Sequence, residues 1–438
     1  MRHFSAPPIP TDSTPAVNVY TGGMAQAHRW LLTRDFSLMW WSQVLSQVAE
    51  GISKLALLWF VYAVTGSPLK TTVIGLLQTL PPILFGPFIG VIVDRFPKKT
   101  ILIASDVARG VLIGLIPCLV SVEHFTVGSL YLLTFLYGVA TAVFVPTLSS
   151  AVPFMVTRPQ FTAANALLQS TTSLGIIIGP AVSGLGIAFA GSQDVLCLNA
   201  MTYFASAACL LPIRLRVTEA TTADGDGWRP FIRHLLEGIR YAFLTHRTVL
   251  MLIVLASVYT FGSGAFTTLF PVFGRHLLGL GPVEVGYLWS WLGGGLLFSS
   301  IGLIRMSGWD LSQRRSVITL SCALAGLALL GLTWTDDLRL AAVLVGCIGI
   351  GFGAWTPIAW GIIQEVAPAG MVGRVMAVYT ASATATSMLG MSAFGWVAES
   401  FGSVASIIGI GGVMCVLAGG SAWFGKKVGV AKIEKADV

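Results

Sequence analysis

Twelve continuous apolar runs, most of them a little over twenty residues long, follow one another along this 438-residue chain, separated by short polar joints. They fall at about 36–64, 71–93, 99–122, 128–151, 166–190, 195–213, 249–276, 284–306, 315–334, 339–364, 375–399 and 404–424. A hydrocarbon core of roughly 30 Å needs about 20 apolar residues per spanning helix. The runs are continuous rather than alternating, which excludes a transmembrane barrel. The expected fold class is therefore an all-α membrane protein with twelve transmembrane helices in two six-helix pseudo-repeats. Residues 1–34 read as a disordered cytoplasmic tail, rich in Pro, Thr, Ser and Ala and without the apolar core of a cleavable signal. The first six-helix half is placed at 35–213, a linker at 214–248, the second half at 249–425 and a basic tail at 426–438. In the linker, Phe231 to Phe243 carries apolar residues at helical spacing with basic ones between, which predicts an amphipathic surface helix.

The pattern is interrupted most sharply in the first run. Gln43, Gln47, Glu50 and Lys54 are spaced i, i+4, i+7 and i+11, which places them on one helical face, with Ser46 and Ser53 beside it. A charge at the bilayer centre costs about 2.5–3.5 kcal/mol on insertion scales. Such a stripe is expected to face protein or a water-filled cavity. Three readings stay open: Glu50 as a proton-coupling carboxylate, Glu50 and Lys54 as a structural pair, or Glu50 as the partner of a cationic substrate.

The second feature is internal similarity. Gly138-Val-Ala-Thr-Ala-Val-Phe-Val-Pro146 resembles Gly349-Ile-Gly-Phe-Gly-Ala-Trp-Thr-Pro357 at an offset of 211, and Gly90 corresponds to Gly302 at nearly the same offset. Parallel repeats of this kind place a binding site between the halves, near the midplane.

Composition agrees with this picture and narrows it. The chain is 55% hydrophobic and 10% charged, with 49 glycines that suit closely packed helices. Of its 26 Lys and Arg, 22 fall on one side of the predicted topology, only Lys70, Arg275 and Arg339 on the other, and Lys54 alone in mid-membrane. The positive-inside rule then puts both termini in the cytoplasm. The formal charge of +7 is accounted for by topology and gives no reason to expect nucleic acid. Six cysteines stand singly in apolar segments, without disulfide or metal-ligand spacing, so no metal is expected. Neither a Gly-x4-Gly-Lys phosphate loop nor a nucleophile–base cluster is present, which leaves no ATPase or other enzyme signature.

Several motifs carry a family resemblance. Gly90-Val-Ile-Val-Asp94-Arg95-Phe-Pro-Lys98-Lys99, between the second and third runs, resembles the signature loop of the major facilitator superfamily, with Pro97 where that family usually has Gly. Gly175-Ile-Ile-Ile-Gly179-Pro180-Ala-Val-Ser183-Gly184 in the fifth run resembles the antiporter motif of the same superfamily, with Ser183 replacing one Gly. Leu57 to Tyr62 with Thr65-Gly66-Ser67, Ala163 to Leu167, and Gly373-Arg374-Val375-Met376-Ala377 look like the branch that contains bacterial siderophore exporters and macrolide or multidrug efflux proteins.

This resemblance implies the major facilitator fold in a bacterial inner membrane. It implies a proton gradient as energy source with no bound cofactor, and a monomer exporting a small amphipathic substrate in exchange for protons. Asp94 would accept hydrogen bonds at a cytoplasmic helix end and latch the halves together, with Gly90 allowing close helix approach and Arg374 opening the opposing helix. Asp106 with Arg109 is expected as a local ion pair near the cytoplasmic surface supporting that loop. Glu365 is expected to pair with Arg374 as a gate element. Many drug–proton antiporters of the family carry an Arg in the fourth span; this chain has Phe135 there, so Lys54 or no cation would substitute. Further cavity candidates are Gln78, Asn199 and Tyr203 in the first half. In the second half they are Tyr259, Trp289, Trp355, Trp360 and Tyr379, whose rings would stack on planar or cyclic substrates. The alternatives are a lipid or lysophospholipid flippase of the same fold, and a non-transport membrane protein on this scaffold.

Overall fold

The computed structural model describes residues 34–121, 126–156, 161–214, 240–241, 247–304, 311–367 and 372–433. The expected tail before Arg34, and most of the linker with its amphipathic helix, lie outside the described residues. The rest forms eleven helices and one 3-10 turn (Val152–Phe154). These are α1 (Arg34–Thr65), α2 (Pro68–Arg95), α3 (Lys98–Ser121), α4 (Val127–Ala151), α5 (Phe161–Leu210), α6 (Arg247–Leu278), α7 (Pro282–Ile304), α8 (Leu311–Leu332), α9 (Leu338–Val366), α10 (Val372–Phe401) and α11 (Ser403–Ile433). At 32 residues, α1 is about 48 Å long, more than a bilayer core requires.

Local chemistry sets the boundaries. Ser67 caps α2, accepting from Lys70 N at 3.2 Å, and Pro68 follows at the first helical position, where its missing N–H costs nothing. Thr126 and Ser129 cap α4 reciprocally. The fifth and sixth runs form one helix that breaks at Gly191, where φ is 87° and ψ is 164°. An L side chain rarely adopts that conformation, so glycine marks the joint the hydrophobic pattern placed between 190 and 195.

Eight helical stretches among the described residues are long and apolar enough to cross a membrane. Helices α2, α7 and α10 fall outside that set.

The helices sort into two groups, α1–α5 and α6–α11. In the first, α1 packs on α5, α2 on α4, and α3 on α4 and α5. In the second, α6 packs on α10 and α11, α7 on α9, and α8 on α9 and α11. The groups are joined chiefly by α5 with α7 and α2 with α10, and more lightly by α6 with α1 and α2. The repeated glycine segment does the same work in both places. Gly138 lets α4 approach Leu77 O of α2, and Gly349 lets α9 approach Leu292 O of α7.

The antiporter-like motif serves both kinds of contact. A Cβ on Gly51 would stand 2.3 Å from Gly175 O, and one on Gly179 would meet the Gly51 backbone, so α1 and α5 touch main chain to main chain. On another side, α5 meets α7: a Cβ on Gly184 would lie 2.4 Å from Pro282 O, and one on Gly286 2.5 Å from Pro180 O. Ser183, the residue standing in for a glycine, is fully buried with its hydroxyl unpartnered among the described residues.

Candidate functional site

Between the two groups lies a cavity of about 210 Å³. Helix α1 contributes Glu50 and Lys54, α2 Gln78 and Thr79, α4 Tyr137 and Thr141, α6 Thr267 and Thr268, and α10 Met391. The lining is polar in the first group and hydroxylic in the second. Gln78 Nε2 and Thr141 Oγ1 are buried without a hydrogen-bond partner among the described residues, which leaves two polar atoms free to engage a ligand.

Glu50 and Lys54 reach this cavity but not each other. Among the described residues the two make no ion pair within 4 Å. The Lys54 ammonium lies over the Trp289 ring of α7, 5.8 Å from its centroid. The expectation of a mutually satisfied pair across one turn therefore does not describe this geometry. The long lysine stem reaches the aromatic face across the group boundary, where a cation is attracted to the ring quadrupole. The rest of the polar stripe diverges. Gln43 is buried, with its Oε1 unpartnered. Gln47 is half-buried and packs its backbone against Gly175.

A second polar face of α1, offset by one residue, turns into the first group. Ser42, Ser46 and Ser53 are all buried there. Asp106 and Arg109 of α3 form an ion pair with both side chains fully buried. Ser206 Oγ donates to Asp106 Oδ2 at 2.7 Å, and Ser46 Oγ donates to Oδ1 at 3.3 Å. Arg109 Nη2 also donates to Ser46 Oγ at 2.9 Å. The guanidinium is held between the rings of Phe144 and Tyr203, at 4.1 and 4.8 Å. Tyr203 shares a 2.7 Å hydrogen bond with Tyr137, which lines the cavity. Asn199 Nδ2 donates to Ser53 Oγ at 2.6 Å. The expected local pair is present, but it sits in the interior of the first group, about 12 Å along α3 from its start, rather than at the surface. Asn199 and Tyr203 belong to this packed network.

The rings expected of the second half gather in another cavity, of about 260 Å³, that meets the first at Thr79. Tyr259 and Trp355 stack at 5.0 Å and 13°. Trp355 Nε1 donates to Tyr379 Oη at 3.1 Å, and Trp360 is 41% exposed. Thr260, Thr356, Thr380 and Thr384 supply hydroxyls between them. Trp289 lies apart, against Phe270 and Lys54. Phe135 packs on Phe85 at the position where the family's arginine would stand.

The loop residues are dispersed. The Asp94 side chain lies outside what is described, and Arg95 is exposed. Lys98 donates to Val93 O at the end of α2, and Lys99 to Ile213 O at 2.8 Å beyond the end of α5. Both thus place a cation at a helix C-terminus, where the dipole is negative. Gly90 stands clear, with no atom within 4 Å of an added Cβ, so it makes no close helix contact here. Glu365 pairs with Arg314 of α8. Arg374 is half-buried at the start of α10.

At the opposite end, contacts between the groups are dense. Ser67 Oγ and Leu69 N donate to Glu399 Oε2 at 2.8 and 3.2 Å, so an α10 carboxylate sits on the N-terminus of α2. Tyr62 Oη bonds His276 Nε2, and Arg275 lies 5.6 Å from the Trp59 ring. Tyr62, Ser67 and Arg275 appeared in the sequence as part of a family run or as an outward basic residue, but not as contacts between the halves, because their partners lie 214 to 332 positions away.

Comparison with known proteins follows the same outline. The family model described as Major Facilitator Superfamily matches residues 39–391. The macrolide efflux protein A of Streptococcus pyogenes is 23% identical over 359 residues, covering 80% of this chain and 86% of that protein. The multidrug efflux pump Tap of Mycolicibacterium fortuitum is 26% identical over 387 residues, covering 84% and 90%. Among solved structures, the nucleoside transporter NupG superposes with a TM-score of 0.69 at 12% identity over 90% of this chain and 97% of that one. A bacterial homologue of the human lysosomal transporter Spinster, inward-facing and unoccupied, gives a TM-score of 0.69 at 12% identity over 89% and 96%. At such identities the structural likeness carries the fold alone.

Proposed function

Because this chain belongs to the Major Facilitator Superfamily, we propose that it is a proton-coupled exporter of an amphipathic small molecule of the drug or macrolide kind. It works in a bacterial cytoplasmic membrane with both termini inside. Twelve spans, counting the two arms of α5 separately, form two six-helix halves that rock about the central cavity.

One observation carries the reading: Glu50, without an ion-pair partner among the described residues, opens on a cavity between the two groups. A carboxylate in a buried cavity can hold or release a proton as its surroundings change. If the cavity faces each side in turn, the proton moves one way and substrate the other. The stacked Tyr259 and Trp355 with exposed Trp360 supply apolar faces for a ring system, and the threonines supply hydrogen bonds to its oxygens. Similarity to a macrolide efflux protein and a multidrug pump supports this substrate class.

The test is transport in sealed proteoliposomes under an imposed pH gradient, with dyes, macrolides and catecholate siderophores. Wild type should move at least one compound against its gradient, and Glu50→Gln should lose at least about tenfold of that flux while retaining downhill exchange, as expected when a coupling proton rather than the fold is removed. Undiminished uphill flux in Glu50→Gln would reject Glu50 as the coupling group. No flux of any compound in wild type would redirect the reading toward lipid substrates.

A further inference from the structure

The two adjacent arginines near the start of α8 have different fates. Arg314 is neutralised by Glu365 of α9. Arg315 is half-buried and has no carboxylate partner within 4 Å among the described residues. It instead borders a groove of about 450 Å³ between α8 and α11, with Ser312, Ser316, Thr319 and Ser421. Thr319 Oγ1 and Ser421 Oγ close the floor of that groove with a 2.6 Å hydrogen bond. The hydroxyls of Ser316, Thr319 and Ser421 donate to carbonyls of their own helices at 3.0, 3.1 and 3.0 Å, which leaves the Arg315 guanidinium as the groove's charged donor, with no carboxylate within 4 Å among the described residues.

What lies next to the groove sets the shape of the missing acceptor. On its inner side, Arg315 and Ser421 also border an apolar slot lined by Met251, Leu252, Leu255 and Ile318. Along α8, Ser312 and Ser316 are followed on one face by Leu320, Leu324 and Leu327, which are 69%, 37% and 65% exposed. That leucine stripe runs about 10 Å further along the helix, away from the end where lysines and arginines concentrate. A charged, hydroxyl-lined head at the membrane surface with an exposed apolar track leading inward matches the polarity order of a phospholipid.

We propose that the groove between α8 and α11 is a binding site for one anionic phospholipid, whose phosphate is held by the Arg315 guanidinium and whose acyl chain lies along Leu320, Leu324 and Leu327. The site is separate from the central cavity, and its existence does not depend on the transport reading. Basic pockets between spanning helices on the side of anionic lipids are suited to this role. The uncharged remainder of the groove would then favour one anionic headgroup by roughly fivefold or more over a zwitterionic one of equal chain length.

Native mass spectrometry of the purified full chain, in detergent with equal phosphatidylglycerol and phosphatidylcholine of the same acyl chains, tests this. Wild type should retain one phosphatidylglycerol in preference. Arg315→Gln should lose that preference, and Arg314→Gln should keep it. Because Arg315→Gln changes side-chain packing as well as charge, Ser312→Glu provides an independent variant. Position 312 is exposed, and a Glu three residues before Arg315 can neutralise it without touching the floor. It should also abolish the preference at an unchanged melting temperature. Equal loss in the Arg314 and Arg315 variants, absence of preference in wild type, or displacement of the lipid by millimolar inorganic phosphate would overturn the proposal.

Discussion

Glu50 and Asp106 are both carboxylates inside the first helix group, and each has a cation one turn further along its own helix: Lys54 four residues on and Arg109 three residues on. The surroundings make them opposites. Asp106 has both oxygens engaged, by Arg109, Ser46 and Ser206, and the whole cluster is sealed among α1, α3, α4 and α5. Glu50 opens on a cavity, and its lysine has turned to a ring on the other helix group. Engagement of both Asp106 oxygens, although Arg109 Nε and Nη1 stay unpartnered among the described residues, fixes an arrangement, whereas the absence of an ion pair at Glu50 leaves a charge able to respond to a proton or a ligand. The two pairs divide structure from function within about one turn of α1, since Ser46, which serves Asp106, stands four residues before Glu50.

The strongest way to break this division is Asp106→Ala. It strands Arg109 in an interior that offers two aromatic faces but, among the described residues, no other carboxylate within 4 Å. Removing one partner of a buried pair costs about 3–5 kcal/mol. The detergent-solubilised variant should melt many degrees lower than wild type. The double change Asp106→Leu with Arg109→Met should recover most of the loss, because it removes both charges together. If Asp106→Ala melts like wild type, the cluster is not what holds α1, α3 and α5 in register.

How far this contrast could be read in advance depended on which contacts lie within one helix. Helical periodicity alone placed Glu50 and Lys54 on one face and Asp106 and Arg109 one turn apart. The hydrophobic pattern also left a gap between 190 and 195, where the helix breaks at Gly191. The serine face of α1 has the same kind of spacing, Ser42, Ser46 and Ser53, yet serines in an apolar helix are common and their partners lie 60 to 164 residues away. Nothing in the local sequence tells that Tyr137, Thr141, Thr267 and Thr268 converge on Glu50, because convergence is set by rotations of separate helices. The latch residues show the same limit. Lys98 and Lys99 were recognisable as a basic pair, but each serves a helix end whose identity only the packing reveals.

A finer probe is Lys54→Gln. The ammonium over Trp289 is a contact between the two helix groups, and a cation–π contact is worth about 0.5–1 kcal/mol at an exposed site. The melting temperature should fall by a small amount, with Trp289→Leu giving no additional loss from this contact when combined with it. A double-mutant cycle on positions 54 and 289 measures that coupling. Coupling between positions 50 and 54 larger than between 54 and 289 would restore the structural Glu50–Lys54 pair.

Glu50→Gln carries the smallest expected effect on stability and so the sharpest comparison. A carboxylate at a cavity wall with no ion pair within 4 Å among the described residues contributes little to holding helices together, and substitutions away from packing, caps and buried networks usually stay within about 0.5 kcal/mol. The amide keeps the size of the side chain, so the helix contacts of α1 through Gly51 are undisturbed. Melting should therefore match wild type while proton-driven flux is lost. A Glu50→Gln protein as unstable as Asp106→Ala would mean that Glu50 has a hidden structural partner and that the two carboxylates do the same work. Equal stability with lost coupling would place the division of labour between adjacent faces of a single helix, one facing the packed interior and the other the cavity.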